Sequence, residues 1–505
     1  MSCSKIFSGD LPELIYEIIE YFQNDYSTLH SCILVNKLWC RSAIPLLWEN
    51  PFSIPTGNYN FIEIYLHYLN DDLKSKLNEY KIIGPLLTTN TLFNYPSFIR
   101  YLNIRKINSS IEMWLKADDI NLNMDLVFEF INFINMSLIK LFIENEVNLH
   151  TLELEIYYNP CIEDILDIIL QNPNFISNNI RNLKLSSNES DDSLIKYRVK
   201  KIINSNQNLK KKSNCSNTLN TITLSHINFR GMNNLVEVFE RLNVLESVHI
   251  IYCYSLDGFI QQIIKLTKPF KLKSLFLRIM GLQIESLELL LQKSGNYLEN
   301  FGYYNDLSSD QQLLQLINYC KNIRSFYLDS RIKDDIISLI FSLIENIKQN
   351  LNYLSINLSN YEDNEYSNIK SILQNLGQTL PSKLEYLSLV LRIKANDIEI
   401  FLKNSQDNFF NKLVIENKKQ EDDNYIDILP YIKEYVMKKR RVKYLAIKNT
   451  LIRGCVKREV DLFDLKDEVK EFKLHNIKVL SYIRLSIDIY RFFNEIDELF
   501  NCYKY

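Results

Sequence analysis

Apolar residues recur along this chain in two alternating patterns, one typical of β-strands and one typical of α-helices. From residue 149 onward a motif of the form apolar-x-x-apolar-x-apolar occurs twelve times: LHTLEL, IRNLKL, LNTITL, LESVHI, LKSLFL, LENFGY, IRSFYL, LNYLSI, LEYLSL, FNKLVI, VKYLAI and VKEFKL. The central residues of these motifs are Leu152, Leu183, Ile222, Val248, Leu275, Phe301, Phe326, Leu354, Leu387, Leu413, Leu445 and Phe472. Seven of the eleven intervals between them are 25 to 28 residues long, which indicates an internal repeat.

The segments between these motifs have the apolar spacing of helices. Examples are MNNLVEVFERL, LDGFIQQIIKLT, IESLELLLQKSG, DQQLLQLINYC, DDIISLIFSLIENI and SNIKSILQNLG. One strand followed by one helix cannot bury its apolar face alone, so we expect the repeats to stack around one continuous core. The pattern therefore predicts an α/β solenoid with a curved parallel sheet inside and helices outside.

A doubly wound α/β fold would also alternate strands with helices. Such a fold would be expected to carry a phosphate-binding loop or a convergent polar site, and the sequence contains no G-x-G-x-x-G, Walker or G-x-S-x-G motif. Twelve units also exceed the size of an ordinary open sheet. The solenoid is the favoured interpretation.

The first fifty residues have a different pattern. Asp10, Leu11 and Pro12 form a helix start, and Leu14, Ile15, Ile18, Ile19 and Phe22 follow at helical spacing. Two further short helices are predicted, one around Leu29–Val35 and one from Asn36 to Leu47. Three short helices bury little surface, so this module is expected to be stabilised by a partner or by the next domain. A simple cap on the larger fold is an equally acceptable interpretation of the pattern.

Composition narrows the class of protein. Hydrophobic residues make up 46 % of the chain and the net charge is −3, which gives no general attraction to nucleic acid or to an anionic membrane. Nine cysteines without a C-x-x-C pair are typical of reduced thiols inside the cell. The beginning, MSCSKIFSGDLPEL, lacks the apolar run of a signal peptide, so secretion is not expected. The most apolar stretch, 126–143, is interrupted by Glu129, Asn132, Asn135 and Lys140 and is predicted not to span a membrane.

Candidate chemistry is sparse. The six histidines show no metal-binding spacing, and no acid, base or nucleophile cluster stands out, so we predict no cofactor, no metal and no enzymatic activity. The basic run KKRR at 438–441 is either a nuclear-localisation or phosphate-binding cluster or, as we favour, the end of a helix before a strand.

The N-terminal module resembles the F-box. The leucine–proline start at Leu11 and Pro12, the apolar helix face, Asp25 and the segment LVNKLWCRSAIPLLW all have counterparts in that family in the same order. The resemblance implies docking to a Skp-type adaptor that links an F-box to a cullin scaffold. The residues onto which it carries the adaptor contact are Leu11, Pro12, Ile15, Ile18, Val35 and Trp39.

The repeat array is similar to the irregular or cysteine-containing leucine-rich repeats that often follow an F-box. The resemblance and the repeat pattern together divide the chain into an F-box at 1–52, a helical connector at 53–148 and a leucine-rich-repeat solenoid of about twelve irregular units at 149–505. The strand-like segment FIRYLNI at 98–104 stands as an isolated earlier repeat inside the connector.

Alternate residues of each strand motif are expected on the concave face, away from the core. Five of these positions carry tyrosine, a residue type that is enriched at binding hot spots. We predict that the target-binding residues are among Phe276, Arg278, Tyr304, Tyr327, Tyr353 and Tyr386, with Asp329 and Tyr444 on the same face. The rims of the loops and the C-terminal repeats are alternative binding surfaces.

The resemblance implies the substrate-recognition subunit of an SCF-type ubiquitin ligase. In that role the F-box would hold the adaptor and the solenoid would hold a target protein, in the cytoplasm or the nucleus. A scaffold that binds the adaptor without a cullin, or whose N-terminal helices merely cap the solenoid, is the alternative. The sequence does not separate the two.

Overall fold

The computed structural model describes residues 12–23, 25–54, 58–80, 91–117, 124–156, 160–172, 175, 180–187, 218–278, 282–305, 320–330, 334–358, 367–420, 428–453 and 456–487. The chain forms two compact units, Met1–Lys268 and Pro269–Tyr505. Both are α/β, with parallel strands in chain order and helices between most of them. This arrangement is compatible with the predicted repeat array.

The first unit begins with helices and continues with strands. Its helices are α1 (Pro12–Glu20), α2 (Tyr26–Ile33), α3 (Lys37–Leu47), α4 (Phe61–Leu66), α5 (Asp71–Glu79), α6 (Ile104–Ala117), α7 (Met124–Glu144), α8 (Pro160–Gln171), α9 (Leu235–Arg241) and α10 (Leu256–Ile263). Its strands are β1 (Tyr101–Asn103), β2 (Thr151–Ile156), β3 (Asn182–Ser187), β4 (Thr221–Ser225) and β5 (Ser247–Ile251). Each strand pairs in parallel with the next strand in the chain.

The second unit repeats the alternation. Its strands are β6 (Leu272–Arg278), β7 (Asn300–Asn305), β8 (Ser325–Ser330), β9 (Tyr353–Asn357), β10 (Lys383–Leu391), β11 (Phe409–Gln420), β12 (Val442–Arg453), β13 (Val456–Asp461) and β14 (Lys478–Val479). Its helices are α11 (Ile284–Ser294), α12 (Asp334–Ile347), α13 (Ser367–Thr379), α14 (Ala395–Asn404), α15 (Leu429–Ile432), a π-helical turn (Lys433–Met437), α16 (Lys466–Leu474) and α17 (Tyr482–Leu485).

The end of the second unit departs from the parallel order. Strands β6 to β12 pair in parallel, whereas β13 turns back and pairs antiparallel with Lys448–Arg453 of β12. Strand β14 pairs in parallel with the beginning of β12, at Tyr444 and Leu445. The outer edge of β12 is therefore shared by two short strands.

The register of the strands follows the repeat found in the sequence. The central residues of eleven motifs lie opposite one another along each sheet, and β1 adds Leu102 to the row of the first unit. All members of these two rows are at most 4 % exposed. Within the segment FIRYLNI, Tyr101–Asn103 form β1, which pairs with β2 and is therefore continuous with the array instead of isolated from it.

The twelfth motif, VKEFKL, is a wrong prediction, because it lies on helix α16. Val469 and Phe472 are three residues apart, a spacing that suits one face of a helix as well as a strand. Phe472 is buried, but Leu474 is 80 % exposed, so the third apolar position does not point into the core. The motif has the composition of a strand without its burial pattern.

Backbone hydrogen bonds join many of the strand starts to the element before them. The carbonyl of Glu49, just after α3, accepts hydrogen bonds from the N–H groups of Arg100 (3.0 Å) and Tyr101 (3.2 Å). The same arrangement of two consecutive donors recurs at the carbonyls of Arg100, His150, Arg181 and Asn220 in this unit, and of Glu299, Arg324 and Asn352 in the second. The N-terminal helices are thus joined to β1 by the same bonds that join strand to strand.

Asparagine side chains add to this ladder. The amide of Asn322 donates to the carbonyl of Asn296 (2.7 Å), and that of Asn350 donates to the carbonyl of Lys321 (2.9 Å). Asn408 donates in the same way to Pro381 (2.7 Å). At these positions asparagine satisfies backbone groups in the loops between repeats.

Helix α7 belongs to the core of the first unit, where Phe142 packs against Tyr65 and Phe52. By length and composition it is long and apolar enough to cross a membrane, and no other helix of the described ranges meets that test. The expectation that this stretch does not span a membrane stays a prediction. Phe130, Ile134, Leu138 and Phe142 on this helix have no exposed surface within the unit. That burial is what a core helix requires.

A buried carboxylate lies at the junction between α3 and β1. Glu49 is only 9 % exposed, and its side chain accepts a hydrogen bond from the amide of Gln23 (2.8 Å). Burial raises the pKa of Glu49, while Gln23 and the charge of Arg100 lower it in part. A raised folded-state pKa means that ionised Glu49 costs stability at neutral pH.

We therefore expect Glu49→Gln to raise the free energy of unfolding at pH 7, because the variant keeps an acceptor for Gln23 without the buried charge. The gain should shrink as the pH falls through the folded-state pKa, where the wild-type carboxyl is protonated. Chemical unfolding at pH 7 and at pH 4 measures the difference. The exposed Glu112→Gln on α6 is the control and should stay within about 0.5 kcal/mol of the wild type at both pH values. A gain equal at both pH values would contradict the argument.

Candidate functional site

Helices α1, α2 and α3 form a small module with its own core. Ile15 and Ile19 of α1, Leu29 and Cys32 of α2, and Trp39 and Ala43 of α3 are buried against one another. The side chain of Asp25 caps α2 by accepting from the N–H of Thr28 (3.1 Å). The hydrogen bond from the Thr28 hydroxyl (2.6 Å), followed by the one from this N–H, lowers the pKa of Asp25. Asn36 caps α3 by accepting from the N–H groups of Leu38 (2.9 Å) and Trp39 (3.0 Å).

The outer side of this module exposes large apolar side chains. Leu14 and Ile18 lie four residues apart on α1 and are each 37 % exposed, and Tyr21, directly after the helix, is 87 % exposed. Leu34 and Val35, in the turn between α2 and α3, are 77 % and 51 % exposed. We call these five residues the apolar surface of the module. Large apolar side chains that remain exposed are typical of protein-interaction sites when they form a patch.

The six predicted adaptor contacts fall into three groups. Pro12, Ile18 and Val35 are exposed and are available for contact. Ile15 and Trp39 are 0 % and 8 % exposed, so these two residues hold the module together and offer little surface to a partner. Leu11 lies outside the described residues. Adaptor contact itself stays a prediction for all of them.

Aromatic packing anchors the module to the elements that follow it. Trp48 lies at the end of α3, with its ring 5.4 Å from that of Tyr65 and 4.2 Å from that of Tyr95. Tyr65 in turn packs edge-on against Phe142 of α7. These ring contacts and the hydrogen bonds to the Glu49 carbonyl attach the module to the rest of the first unit at several points.

The strands of the second unit present three rows of side chains on the face opposite the central apolar row. In strand order from β6 to β12, the first row is Ser274, Asn300, Ser325, Tyr353, Tyr386, Lys412 and Tyr444, the second row is Phe276, Gly302, Tyr327, Ser355, Ser388, Val414 and Ala446, and the third row is Arg278, Tyr304, Asp329, Asn357, Val390, Glu416 and Lys448. All six predicted target-binding residues lie in these rows.

Burial divides those six residues. Arg278 and Tyr304 are exposed, with the guanidinium of Arg278 5.6 Å from the ring centroid of Tyr304, and Tyr353 is partly buried. Phe276, Tyr327 and Tyr386 are 0 %, 5 % and 1 % exposed, so the expectation that their position on this face leaves them open to a partner is wrong. The face is partly filled by contacts within the chain.

At β6 to β8 the face is covered by the side chains of its own strands. A Cβ atom added to Gly302 would overlap the ring of Phe276, so that ring lies directly over the glycine backbone. The ring centroid of Tyr327 is 5.6 Å from that of Phe276. The absence of a side chain at position 302 therefore gives the aromatic ring its place on the sheet.

At β9 to β12 the filling comes from the end of the described chain. Leu485 of α17 is 4 % exposed and packs in one cluster with Tyr386, Val414 and Ala446, while Tyr353, Tyr444, Leu480, Tyr482 and Ile487 surround that cluster. The N–H of Ile487 donates to the hydroxyl of Tyr386 (3.0 Å), across 101 residues of sequence. The local sequence pattern could not predict that this distant segment covers the face.

Polar residues surround the same contact. The ammonium of Lys448 lies 3.2 Å from the carboxylate of Glu416 and 4.4 Å from the ring centroid of Tyr482. Burial, followed by the charge of Glu416 and a hydrogen bond to it, raises the pKa of Tyr482. The N–H of Tyr482 donates to the carboxylate of Asp461 (2.7 Å). Tyr482 thus occupies a site with a cation on its ring and an acceptor for its hydroxyl.

The remaining candidate groups have structural roles. The guanidinium of Arg441, from the KKRR run, is buried and donates to the carbonyls of Asn408 (2.9 Å) and Leu402 (3.2 Å), and its burial lowers its pKa to about 10. Burial raises the pKa of the Cys253 and Cys320 thiols to about 12. Across the described ranges no group of three or more His, Cys, Asp or Glu residues could hold a metal ion.

The packing of Phe276 over Gly302 gives a direct test of the sheet face. We expect Gly302→Ala to lower the free energy of unfolding by about 1–3 kcal/mol, because the new methyl group displaces the Phe276 ring. In a double-mutant cycle followed by chemical unfolding, Gly302→Ala should cost less stability in a Phe276→Ala background than in the wild type, because the ring that the methyl group displaces is gone. Gly258→Ala on α10 is the control: its new methyl group meets no atom within 4 Å, so this change should be neutral or stabilise by up to about 1 kcal/mol. A Gly302→Ala variant as stable as the wild type would contradict the packing.

A scan against models of protein families finds no match to this chain, and no curated protein matches it in a sequence search.

Proposed function

We propose that this chain is an F-box protein with a leucine-rich-repeat array, and that it serves as the substrate-recognition subunit of an SCF-type ubiquitin ligase. The three-helix module would bind a Skp-type adaptor and, through it, a cullin, while the sheet face of the second unit would bind a target protein. The chain would carry out no reaction itself and would act in the cytoplasm or the nucleus.

The observation that carries this proposal is the apolar surface of the module. Leu14, Ile18, Tyr21, Leu34 and Val35 remain exposed although the module has a complete core of its own. Each large apolar side chain removed from water in a complex contributes about 1.5–3 kcal/mol. A few such side chains are enough to dominate a protein interface.

Attachment to the array supports a connecting role. The Glu49 carbonyl bonds and the Trp48 packing hold the module on the first unit. A partner on its outer side would therefore be held close to the repeat array by a defined structure instead of by a loose linker. Holding the target's lysines near a bound enzyme raises their effective concentration.

The second candidate is a scaffold that binds the adaptor without a cullin. The same apolar surface favours it, because adaptor binding is common to both roles. The two candidates differ only in whether a cullin is present in the complex, so one experiment addresses both.

We expect the full chain to co-purify with a Skp-type adaptor, and we expect Ile18→Asp and Val35→Asp each to weaken that binding by at least about tenfold, since each change puts a charge into an apolar contact. Isothermal titration calorimetry with purified adaptor measures the affinity. Met113→Asp on α6, where the side chain is 45 % exposed, is the matched control and should bind like the wild type.

The presence of cullin in the same complex would support the ligase role, whereas adaptor binding without cullin would favour the scaffold. A wild-type chain that binds no adaptor would overturn both. Unchanged circular dichroism spectra of the two variants would confirm that loss of binding does not come from loss of folding.

A further inference from the structure

Residues 480–487 lie across the sheet face as a peptide would lie in a binding site. The segment follows β14, and its Leu480 N–H donates to the carbonyl of Leu445 (2.9 Å). It then crosses β12 and β11 to reach Tyr386 on β10, where the Ile487 N–H is bonded. Strands β10, β11 and β12 are already paired with one another, so from Tyr482 onward the segment covers the sheet without extending it.

The face under this segment has the shape of a trough. In the second row, β9 to β12 carry the small or short side chains Ser355, Ser388, Val414 and Ala446, where β6 and β8 carry Phe276 and Tyr327. Tyrosines border these positions on the side of the first row, and Glu416 and Lys448 border them on the side of the third. A row of short side chains between bulkier rows leaves room for a side chain from outside, and Leu485 takes that room.

Tyr482 and Leu485 of the segment contact the sheet face, whereas Ile483 beside them is largely exposed. Tyr482 meets the Lys448 ammonium with its ring and Glu416 with its hydroxyl, and Leu485 is buried on Val414 and Ala446. Ile483, on the same helix, is 72 % exposed. The trough therefore selects an aromatic residue followed three positions later by an aliphatic one.

We propose that this trough is a peptide-binding site whose ligand is a target segment carrying a tyrosine and, three residues later, a leucine, and that residues 480–487 occupy the site as an internal competitor. This inference rests on the proposed target-binding role of the second unit. A target would bind by displacing the segment, so its apparent affinity is reduced by the fraction of molecules in which the trough is closed.

The test uses the full chain and a fluorescein-labelled synthetic peptide of residues 478–487, KVLSYIRLSI. Fluorescence anisotropy measures binding to the wild type, to Leu485→Asp and to Tyr482→Ala/Leu485→Asp. Both variants lose anchors of the internal segment, so we expect them to bind the peptide at least about tenfold more tightly than the wild type. Ile483→Asp is the matched control on the same helix and should bind as weakly as the wild type.

Further measurements test whether the gain in peptide affinity comes from binding in the trough. A peptide with aspartate in place of the leucine that corresponds to Leu485 should not bind any of the chains. Adding Ala446→Phe to Leu485→Asp fills the trough and should abolish the gain. Hydrogen exchange should show that β11 and β12 stay protected in all variants while residues 480–487 become exposed.

The proposal is overturned if neither releasing variant binds the peptide more tightly than the wild type, or if the gain survives Ala446→Phe. The adaptor measurement is independent of this one. If the releasing variants bind the peptide more tightly but the chain binds no adaptor, only the ligase role is contradicted. If the chain binds the adaptor but the variants gain no peptide affinity, only the role of residues 480–487 as an internal competitor is contradicted.

Discussion

The backbone hydrogen bonds between successive parallel strands are the interaction on which the rest of this structure depends. A parallel strand cannot pair with itself, so the N–H and C=O groups of each repeat are satisfied only by the repeats beside it. The carbonyls that receive two N–H donors at the strand starts fix the register, and the register brings the central apolar residues into one buried row. Burial of that row then provides the hydrophobic stabilisation that no single repeat could provide.

Both candidate surfaces result from this ladder. Glu49 extends it by one position at the N-terminal side, which gives the three helices a fixed place and leaves their outer residues open. On the sheet face the same register places small side chains side by side in the second row of β9 to β12. The surfaces therefore depend on backbone geometry as much as on the side chains that line them.

Much of the fold could be predicted from the sequence, because the repeat is written in local apolar spacing. Eleven motif centres lie in the predicted strands, and the helices between them follow their apolar spacing wherever the structure describes them. VKEFKL failed because a three-residue apolar interval fits a helix as well as a strand. Where the apolar spacing fits both a helix and a strand, as it does here, the contacts with neighbouring elements decide which of the two forms.

The candidate sites were predicted less well, because exposure depends on contacts between distant residues. Ile15 and Trp39 carry the family resemblance, yet they face the core of their own module. Tyr386 lies on the predicted face but is covered from a position 101 residues away. No pattern within a short window of sequence contains that information.

The strand pairing at the end of the second unit also bears on self-association. A long parallel array would otherwise finish at β12 with a row of unpaired backbone groups, and such an edge is a template for the strands of other molecules. Here β13 reverses direction and takes up one part of that edge, and β14 takes up another. In the described part of the chain, β13 is the outer strand beside Lys448–Arg453 of β12. It is six residues long and carries the exposed Arg458 and Glu459. Growth of the sheet by addition of a second chain is disfavoured at this end, so the fold itself protects the protein from aggregating through the last strand of its array.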